Sequence, residues 1–451
     1  MSEKKFLVIG AGKSGVASCE LLLKAGKTPV LYDGNVDCDF SKLKSNNPSI
    51  KDVTCIAGKI DPATLADFEI CVVSPGVPLD TPFIESLRES GLTIWGEIEL
   101  AYRFAKGSVY AITGTNGKTT TTALVGKIFE DFFPSTFVVG NIGIPYTSVA
   151  LDTTEESKTI AEISSFQLES TIEFRPKVSA ILNITPDHLN RHHTMENYIK
   201  AKEDITKAQK ESDACVLNYD DEVLRDFGKN LKCNVYYFSS KDELENGVYY
   251  KDREIISTLS GKKEVVVNVD ELAILGTHNY ENASAAILIA VLAGVPMDSI
   301  RKSLKSFRAV EHRIEYVTTK RGVRFYNDSK GTNPDASIKA VMAMERPIML
   351  IGGGYDKKIS YDDWVKTFDG RVKKFAIIGE TKKLLKETCD RFGFSDYVLC
   401  DTMEEAIDVC YRDASDGDCV LLSPASASWD MFKSYEQRGD IFKEYVKGLS
   451  E

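Results

Sequence analysis

The sequence predicts an α/β protein of three domains, each built on a mostly parallel sheet. A chain of 451 residues is too long for one hydrophobic core, and about three domains is the usual division at this length. Three apolar runs, near Phe6, Val109 and Phe325, are each followed by a loop rich in glycine or serine. Strands that alternate with helical patterns in this way favour parallel sheets. We expect the domains to span residues 1–97, 98–309 and 310–451.

The first domain begins with a strand that runs into a glycine-rich loop. The strand starts at Phe6, and the loop carries the spacing G-x-G-x-x-G from Gly10 to Gly15. A second strand, 29–32, ends at Asp33. This combination resembles a dinucleotide-binding fingerprint. A tight turn that binds no coenzyme explains the same glycines equally well, so both interpretations stay open.

The second domain begins with a candidate phosphate loop, which joins the end of an apolar strand to the start of a helix. Gly114 and Gly117 let backbone N–H groups approach phosphate oxygens, Lys118 adds a positive charge, and Thr119 offers a hydroxyl to Mg²⁺. The strict pattern G-x-x-x-x-G-K-S/T is not met, because Ile112 stands at the first glycine position. An unrelated turn would have to acquire these groups in this order by chance. Nucleotide phosphate binding is therefore the better interpretation.

Two apolar patterns in the second domain predict helices. Val125, Ile128, Phe129 and Phe132 recur at helical spacing behind the phosphate loop, so a bound phosphate would face the positive end of the helix. The run 285–295 is far below the ~20 residues needed to cross a bilayer. It predicts a core helix instead.

Polar side chains end two further strands of the second domain. Glu162 closes one strand, and the strand 178–184 runs into Asp187 and His188. Near a bound nucleotide, such residues supply Mg²⁺ ligands and substrate contacts. Helix capping by Asp187 and a surface position for His188 are the alternative. Because these residues share a domain with Lys118, we favour the functional interpretation.

One lysine interrupts an apolar helical face. That face is formed by Tyr198, Ile199, Lys202, Ile205 and Thr206. A lysine at such a position commonly lies along apolar surface with its amine in water. The other interpretation is that the amine of Lys202 is desolvated, less basic, and available for chemistry or modification.

Composition excludes several classes of function. The formal net charge is −11, which argues against nucleic acid as a partner. The ten cysteines include no C-x-x-C pair, so neither a zinc site nor a disulfide framework is indicated. The N-terminus lacks the apolar length of a signal peptide. We therefore expect a cytoplasmic protein with no membrane insertion.

The third domain repeats the strand-and-loop pattern from about Glu311 onward. Lys330 and Lys357 lie on its loops. We expect this domain to fold over the phosphates held by Lys118.

Seven sequence runs carry a more specific signal. They are 114–119, 162–169, 187–188, 276–279, 311–313, 327–333 and 422–428. They occur in the order seen in the Mur ligases, which the chain resembles along its whole length. Within that family, the runs 162–169 and 327–333 and the ending 436–439 are similar to the member that adds D-glutamate to UDP-N-acetylmuramoyl-L-alanine. The Asp-Asn-Pro-Arg signature of the diaminopimelate- or lysine-adding member is absent.

The resemblance implies an ATP-dependent, ADP-forming amide ligase of bacterial peptidoglycan precursor synthesis. It implies Rossmann-like N- and C-terminal domains and a P-loop-type central ATPase domain. The substrate carboxylate would become an acyl phosphate, and the amine of D-glutamate would attack it to give a tetrahedral intermediate. The reaction would use ATP, two Mg²⁺ ions and a CO₂-derived carbamate on Lys202. We expect a monomer.

The resemblance also assigns residues to roles. The catalytic residues are Lys118, Glu162, His188, Lys202 and Lys330. The ATP-binding residues are Gly114, Thr115, Asn116, Gly117, Lys118, Thr119, Thr120, Asn279, Asn282, Arg313 and Asp328. The metal ligands are Thr119, Glu162, His188 and carbamylated Lys202. The residues that bind the UDP substrate are Ser14, Asp33, Gly76, Asn141, Gln167 and His188. The residues that bind D-glutamate are Thr332, Lys357, Ser428 and Tyr435.

Three alternatives remain at this point. An NAD-dependent oxidoreductase would use the glycines of the first loop and Asp33, but it leaves Lys118 and the second half of the chain unexplained. A nucleotide-driven switch would keep the phosphate loop, yet the guanine-reading sequence Asn-Lys-x-Asp does not occur. Within the family, a folylpolyglutamate synthetase is the competing activity.

Overall fold

Parallel strands form the centre of three sheets, and helices connect these strands. The computed structural model describes residues 5–308 and 310–450, with the side chains of residues 62 and 63 left out. The predicted three-domain α/β fold is confirmed. Three parts of the predicted domain bounds lie outside the described residues. They are residues 1–4 at the start of the first domain, Ala309 at the end of the second, and residue 451 at the end of the third. The domain bounds stay predictions.

The first sheet has five strands, all parallel. The strands are β1 (Lys5–Ile9), β2 (Pro29–Asp33), β3 (Thr54–Ala57), β4 (Phe68–Val73) and β5 (Thr93–Gly96). The helices are α1 (Lys13–Lys24), α2 (Phe40–Asn46), α3 (Pro82–Glu89) and α4 (Glu97–Phe104). The order β3-β2-β1-β4-β5 changes direction between β1 and β4. Open α/β sheets bind ligands at the carboxyl ends of strands at such a point.

Close packing explains one glycine of the first loop. A Cβ atom on Gly15 would lie 1.9 Å from the carbonyl oxygen of Gly10. Only glycine lets α1 approach the end of β1 this closely. The helix therefore begins directly behind the carboxyl end of the first strand.

The second sheet has nine strands. The strands are β6 (Ser108–Thr113), β7 (Thr136–Gly140), β8 (Lys158–Glu162), β9 (Val178–Ile181), β10 (Ala214–Asn218), β11 (Asn234–Ser239), β12 (Gly247–Lys251), β13 (Glu254–Ser257) and β14 (Glu264–Asn268). The helices along this part of the chain are α5 (Lys118–Glu130), α6 (Ser165–Leu168), α7 (Leu189–His192), α8 (Met195–Glu203), α9 (Glu222–Gly228), α10 (Thr277–Leu292) and α11 (Met297–Ser306). The order is β14-β13-β12-β11-β10-β9-β6-β8-β7, and only β13 runs antiparallel to its described neighbours. The carboxyl ends of β9, β6 and β8 thus lie side by side.

The third sheet has six strands. The strands are β15 (Glu315–Lys320), β16 (Val323–Asn327), β17 (Ile348–Gly353), β18 (Val372–Ile378), β19 (Tyr397–Leu399) and β20 (Cys419–Leu422). The helices are α12 (Pro334–Ala343), α13 (Asp362–Lys366), α14 (Lys382–Arg391), α15 (Met403–Asp413) and α16 (Tyr435–Gly448). The order is β15-β16-β20-β17-β18-β19, with β15 antiparallel at one edge. The loops after β16 and β20 therefore leave the same edge of this sheet.

The chain divides into two compact units. The first comprises the residues up to Asn268 together with Glu281–Leu304, and it holds the first two sheets. The second comprises Val269–Tyr280 and the residues from Lys305 onward, and it holds the third sheet. Helix α10 contributes residues to both units.

The helix predicted behind the phosphate loop is confirmed, but one of its residues is not. Val125, Ile128 and Phe129 are buried on α5. The prediction for Phe132 is wrong, because α5 ends at Glu130 and Phe132 is 41% exposed. Its ring packs against Phe133, with the ring centroids 5.0 Å apart.

The predicted core helix at 285–295 is confirmed over most of its length. It forms the second half of α10, where Ala285–Ala290 are all buried, whereas Val295 lies beyond the helix end at Leu292. Among the described residues, every helix is too short or too polar to span a bilayer.

Candidate functional site

The loop between β6 and α5 is built on two glycines with positive φ. Gly114 has φ +146°, and Gly117, which caps α5, has φ +85°. Residues with side chains rarely adopt these backbone conformations. At Gly117 a Cβ would also lie 2.3 Å from Oδ1 of Asn282. The loop leads into α5, a helix of 13 residues whose N-cap residue Gly117 makes no side-chain capping hydrogen bond. The start of such a helix suits an anion.

The segment after β9 imposes the shape of this loop. The carbonyl oxygen of Asn183 accepts a hydrogen bond from the N–H of Thr115 (2.9 Å), and its Oδ1 accepts one from the N–H of Asn116 (2.8 Å). Nδ2 of Asn183 donates to the carbonyl oxygen of Asn116 (3.1 Å). The Thr115 hydroxyl in turn accepts from the N–H of Thr185 (3.0 Å). Sequence reasoning missed Asn183, although a polar residue ending an apolar strand run was the available signal.

Two lysine amines meet at one carbonyl oxygen of the loop. Nζ of Lys118 donates to the carbonyl oxygens of Gly114 (2.8 Å) and Thr115 (2.9 Å). Nζ of Lys202 donates to the same Gly114 oxygen (2.8 Å). Lys118 and Lys202, from α5 and α8, therefore concentrate positive charge on the phosphate loop.

Lys202 is buried, which supports the interpretation that its amine is desolvated rather than in water. It is 2% exposed, and Nζ lies 4.7 Å from the centroid of the Tyr198 ring. Burial holds the pKa of Lys202 well below its usual value. The positive charge of the nearby Lys118 lowers this pKa further, and Asp187 opposes the shift. The shift makes the neutral, nucleophilic amine more accessible here than on an exposed lysine.

Glu162 ends β8 at the same sheet edge and is 1% exposed. Its Oε1 accepts a hydrogen bond from Nδ2 of Asn141 (2.8 Å). Its Oε2 is buried and has no hydrogen-bond partner among the described residues. A buried carboxylate oxygen without a partner is costly. The site therefore fits a cation at Glu162.

His188 lies on the surface next to this region. It begins α7 with φ +53°, and its side chain is exposed. The proposed capping of a helix by Asp187 is wrong, because His188 itself occupies the N-cap position of α7. The His188 ring contacts Phe166 edge-on, with the ring centroids 5.0 Å apart.

Five predicted residues line one cavity of about 440 Å³ in the first unit. They are Ser14, Asp33, Gly76, Asn141 and Gln167. The cavity lies at the carboxyl ends of β1 and β4, where the strand order changes direction. Its lining does not include His188, the sixth residue predicted for the UDP substrate.

Asp33 connects two loops beside this cavity. Its Oδ2 accepts a hydrogen bond from the N–H of Ala11 (2.9 Å), and its Oδ1 accepts one from the N–H of Asn35 (2.9 Å). The carboxylate thereby ties the loop after β2 to the glycine loop after β1.

The second unit carries a buried acid at the end of β16. Oδ2 of Asp328 accepts a hydrogen bond from the hydroxyl of Ser423 (2.7 Å). Burial raises the pKa of Asp328 to about 7, against the lowering effects of Ser423 and Arg313. Two residues further on, Nζ of Lys330 lies 5.1 Å from the centroid of the Tyr435 ring.

Three of the four residues predicted for D-glutamate lie on loops of this unit, and the fourth, Tyr435, is the first residue of α16. Nζ of Lys357 donates to the carbonyl oxygen of Thr332 (3.1 Å) and lies 5.9 Å from the centroid of the Trp429 ring. Ser428, next to Trp429, is buried. The carbonyl oxygen of Tyr435 accepts from the hydroxyl of Ser329 (2.8 Å), which lies on the same loop as Thr332.

Sequence reasoning missed the residue that ties these loops together. Arg438 of α16 is fully buried. It donates to the carbonyl oxygen of Ser329 (2.7 Å), to the hydroxyl of Ser329 (2.9 Å) and to the carbonyl oxygen of Ser426 (3.1 Å). Burial lowers the pKa of Arg438 to about 10, so it stays charged at neutral pH. The run 436–439 was the available signal.

The residues predicted to bind ATP divide between the two units. The first unit holds residues 114–120 and Asn282, whose Oδ1 accepts from the hydroxyl of Thr121 (3.3 Å). The second unit holds Asn279, Arg313 and Asp328. In that unit Nδ2 of Asn279 donates to the carbonyl oxygen of Leu275 (2.8 Å).

Three family models match the chain. They are described as a MurD-like N-terminal domain of Mur ligases over residues 4–96, the Mur ligase middle domain over residues 112–290, and the glutamate ligase domain of Mur ligases over residues 312–426.

Two curated relatives match the chain over its whole length. The UDP-N-acetylmuramoylalanine–D-glutamate ligase of Lachnoclostridium phytofermentans is 51% identical over 448 residues, with 99% of each chain covered. The enzyme of the same name from Lachnospira eligens is 51% identical over 450 residues, with 100% of each chain covered.

A solved structure shows the same fold. The UDP-N-acetylmuramate–alanine ligase of Thermotoga maritima superposes with a TM-score of 0.59 at 18% identity, with 99% of each chain covered. At this identity the likeness concerns the fold alone.

The contacts of Asn183 predict a defect in nucleotide binding. Asn183→Ala removes the two side-chain hydrogen bonds to Asn116, each worth about 1 kcal/mol. We expect the Kd for ATP to rise about tenfold or more, as measured by calorimetry. Asn230→Ala, at an exposed position, is the matched control. An unchanged Kd in Asn183→Ala, with unchanged thermal unfolding, would contradict the role given to this side chain.

Proposed function

We propose a function from the finding that the chain belongs to the Mur ligase family. The chain joins D-glutamate to UDP-N-acetylmuramoyl-L-alanine in the cytoplasmic synthesis of peptidoglycan precursor. It is an ATP-dependent ligase that forms ADP. The observation that carries the proposal is the position of Asn141. This residue lines the cavity of the first unit and donates to Glu162. It thus links the cavity for the nucleotide sugar to the carboxylate beside the phosphate loop.

The groups predicted to bind metal fit Mg²⁺. Thr119, Glu162, His188 and a carbamate on Lys202 would hold two ions. The partnerless Oε2 of Glu162 supports this assignment, because Mg²⁺ binds oxygen ligands. When bound, Mg²⁺ supplies positive charge that neutralises phosphate oxygens.

The carbamate would form on the neutral amine of Lys202. The nitrogen lone pair attacks the carbon of CO₂, a C–N bond forms as one C=O π pair moves onto oxygen, and the nitrogen loses a proton to water. A buried amine becomes a carboxylate-like group in this way. Two observations support carbamate formation at Lys202. Its pKa is lowered, and its Nζ is held 2.8 Å from the carbonyl oxygen of Gly114.

The carboxylate of the alanyl group is a poor acyl donor, because its leaving group would be oxide. One carboxylate oxygen attacks the γ-phosphorus of ATP, the bond to the leaving ADP oxygen breaks, and an acyl phosphate results. Lys118 and the N–H groups at the start of α5 stabilise the charge on the phosphate oxygens. Lys330 would contact the transferring phosphoryl group.

The neutral amine of D-glutamate then attacks the acyl carbon. The tetrahedral intermediate expels phosphate, the carbon–oxygen bond breaks, and the nitrogen loses a proton as the amide forms. Thr332, Lys357, Ser428 and Tyr435 would position D-glutamate. The buried charge of Arg438 behind their loops supports an acidic substrate.

The remaining assignments follow the same reasoning. Adenosine would contact Asn279, Asn282, Arg313 and Asp328. The nucleotide sugar would contact Ser14, Asp33, Gly76, Gln167 and His188, of which the first four line the cavity with Asn141. We also infer a monomer, and domain bounds at 1–97, 98–309 and 310–451. The three separate family models support these bounds.

A phosphate-release assay tests the proposed function. With ATP, Mg²⁺ and UDP-N-acetylmuramoyl-L-alanine, we expect steady phosphate release on addition of D-glutamate. We expect none with L-glutamate, and none when folate replaces the nucleotide sugar. Equal release with L-glutamate, or release that needs only ATP, would contradict the proposal.

Lys202 gives a second prediction. In Lys202→Ala we expect turnover to fall by about 100-fold or more, because a charge-stabilising group is lost. Formate or acetate is expected to restore part of the activity by occupying the vacated position. The matched control is Lys200→Ala on the same helix, where the lysine is exposed and paired with Asp204. Failure of both acids to restore activity, together with no carbamate signal from ¹³CO₂-labelled protein in NMR spectra, would contradict carbamylation.

A further inference from the structure

A second buried carboxyl group lines the cavity of the first unit. Glu97 is the first residue of α4, is 2% exposed, and forms part of the cavity wall with Asn141 and Gln167. The proposed function gives it no role. A buried acid in a ligand cavity calls for a chemical explanation.

One oxygen of Glu97 orients a residue assigned to the substrate. Oε1 accepts a hydrogen bond from Nε2 of Gln167 (2.7 Å). At its other end, Oε1 of Gln167 accepts from the N–H (2.8 Å) and the hydroxyl (2.9 Å) of Ser164. The amide of Gln167 is therefore held at both ends, and Glu97 determines where its second N–H points.

The other oxygen of Glu97 has no partner among the residues that the structure describes. Oε2 is buried and makes no hydrogen bond to any described residue. Burial raises the pKa of Glu97, and the bond from Gln167 opposes the shift. The shift makes the neutral acid, which can donate a hydrogen bond, more accessible than it is for an exposed glutamate.

Glu99 on the same helix shows what a structural carboxylate looks like here. It is fully buried, but it accepts hydrogen bonds from the N–H groups of Ile172 (2.8 Å), Glu173 (3.0 Å) and Phe174 (3.0 Å). It also pairs with Nε of Arg103 at 2.7 Å. Both oxygens of Glu99 are satisfied, whereas Glu97 keeps one for a ligand.

We propose that Glu97 is a further substrate-contacting residue, whose protonated Oε2 donates a hydrogen bond to an amide carbonyl oxygen of UDP-N-acetylmuramoyl-L-alanine while Oε1 orients Gln167. This inference rests on the proposed function. The amide carbonyls of the muramoyl-alanine portion are the acceptors of suitable chemistry. Asn141 and Gln167, which line the same wall, match positions that lie on the muramoyl-alanine side of the substrate site in the family that the chain resembles.

Two substitutions test the inference. Glu97→Leu removes the donor, and we expect the KM for UDP-N-acetylmuramoyl-L-alanine to rise about tenfold or more, with the KM for ATP unchanged. Glu97→Gln keeps an acceptor for Gln167 and offers an N–H donor, so we expect it to recover most of the loss. The matched control is Glu85→Gln, an exposed glutamate on α3. Thermal unfolding of each variant checks that the fold is intact.

The outcomes separate this inference from the proposed function. Calorimetric binding of the nucleotide sugar to each variant needs no turnover. If the unsubstituted chain binds the nucleotide sugar but releases no phosphate with D-glutamate, the proposed function fails. The Kd values of the Glu97 variants for the nucleotide sugar still show whether Glu97 contacts it. Equal Kd values for the unsubstituted chain and Glu97→Leu would overturn the contact. A Glu97→Gln variant as impaired as Glu97→Leu would overturn the donor role.

Discussion

The carbonyl oxygen of Gly114 accepts hydrogen bonds from two lysine side chains, and the chemistry of the phosphate loop depends on this convergence. Two ammonium groups at one oxygen repel each other, so the arrangement is stable when Lys202 gives up its proton or an anion offsets the charge. The reaction proposed for this chain supplies both conditions. A carbamate removes one positive charge, and a triphosphate balances the other.

The strand order brings the groups around that oxygen together. β6 lies between β9 and β8. The phosphate loop follows β6, Asn183 follows β9, and Glu162 ends β8, so all three meet at one sheet edge. A parallel sheet thus converts three distant sequence segments into one site. Asn141 extends the site from Glu162 into the cavity of the first sheet.

Local patterns in the sequence predicted the parts of the site that depend on local chemistry. The two glycines and Lys118 lie within a few residues of one another, so the sequence alone predicts a phosphate-binding loop. The spacing of apolar residues around Lys202 likewise predicts that this lysine lies on an apolar helical face. Local patterns mark Asn183 and Arg438 only as polar or charged positions, and they give neither of them, nor Glu97, a role. The partners that give each of them a role, Asn116, Gln167 and Ser329, lie 67, 70 and 109 residues away in the sequence. Phe132 was misassigned because its spacing fits a helix that ends at Glu130. No spacing rule predicts that end.

The central claim is that the substrate carboxylate is activated by phosphoryl transfer at the loop carrying Lys118. The most direct measurement follows an oxygen atom. UDP-N-acetylmuramoyl-L-alanine labelled with ¹⁸O in its alanine carboxylate is converted with ATP and D-glutamate, and the released phosphate is analysed by mass spectrometry. An acyl phosphate requires one labelled oxygen in each phosphate formed from doubly labelled substrate. Phosphate without label, formed alongside amide product, would contradict the claim.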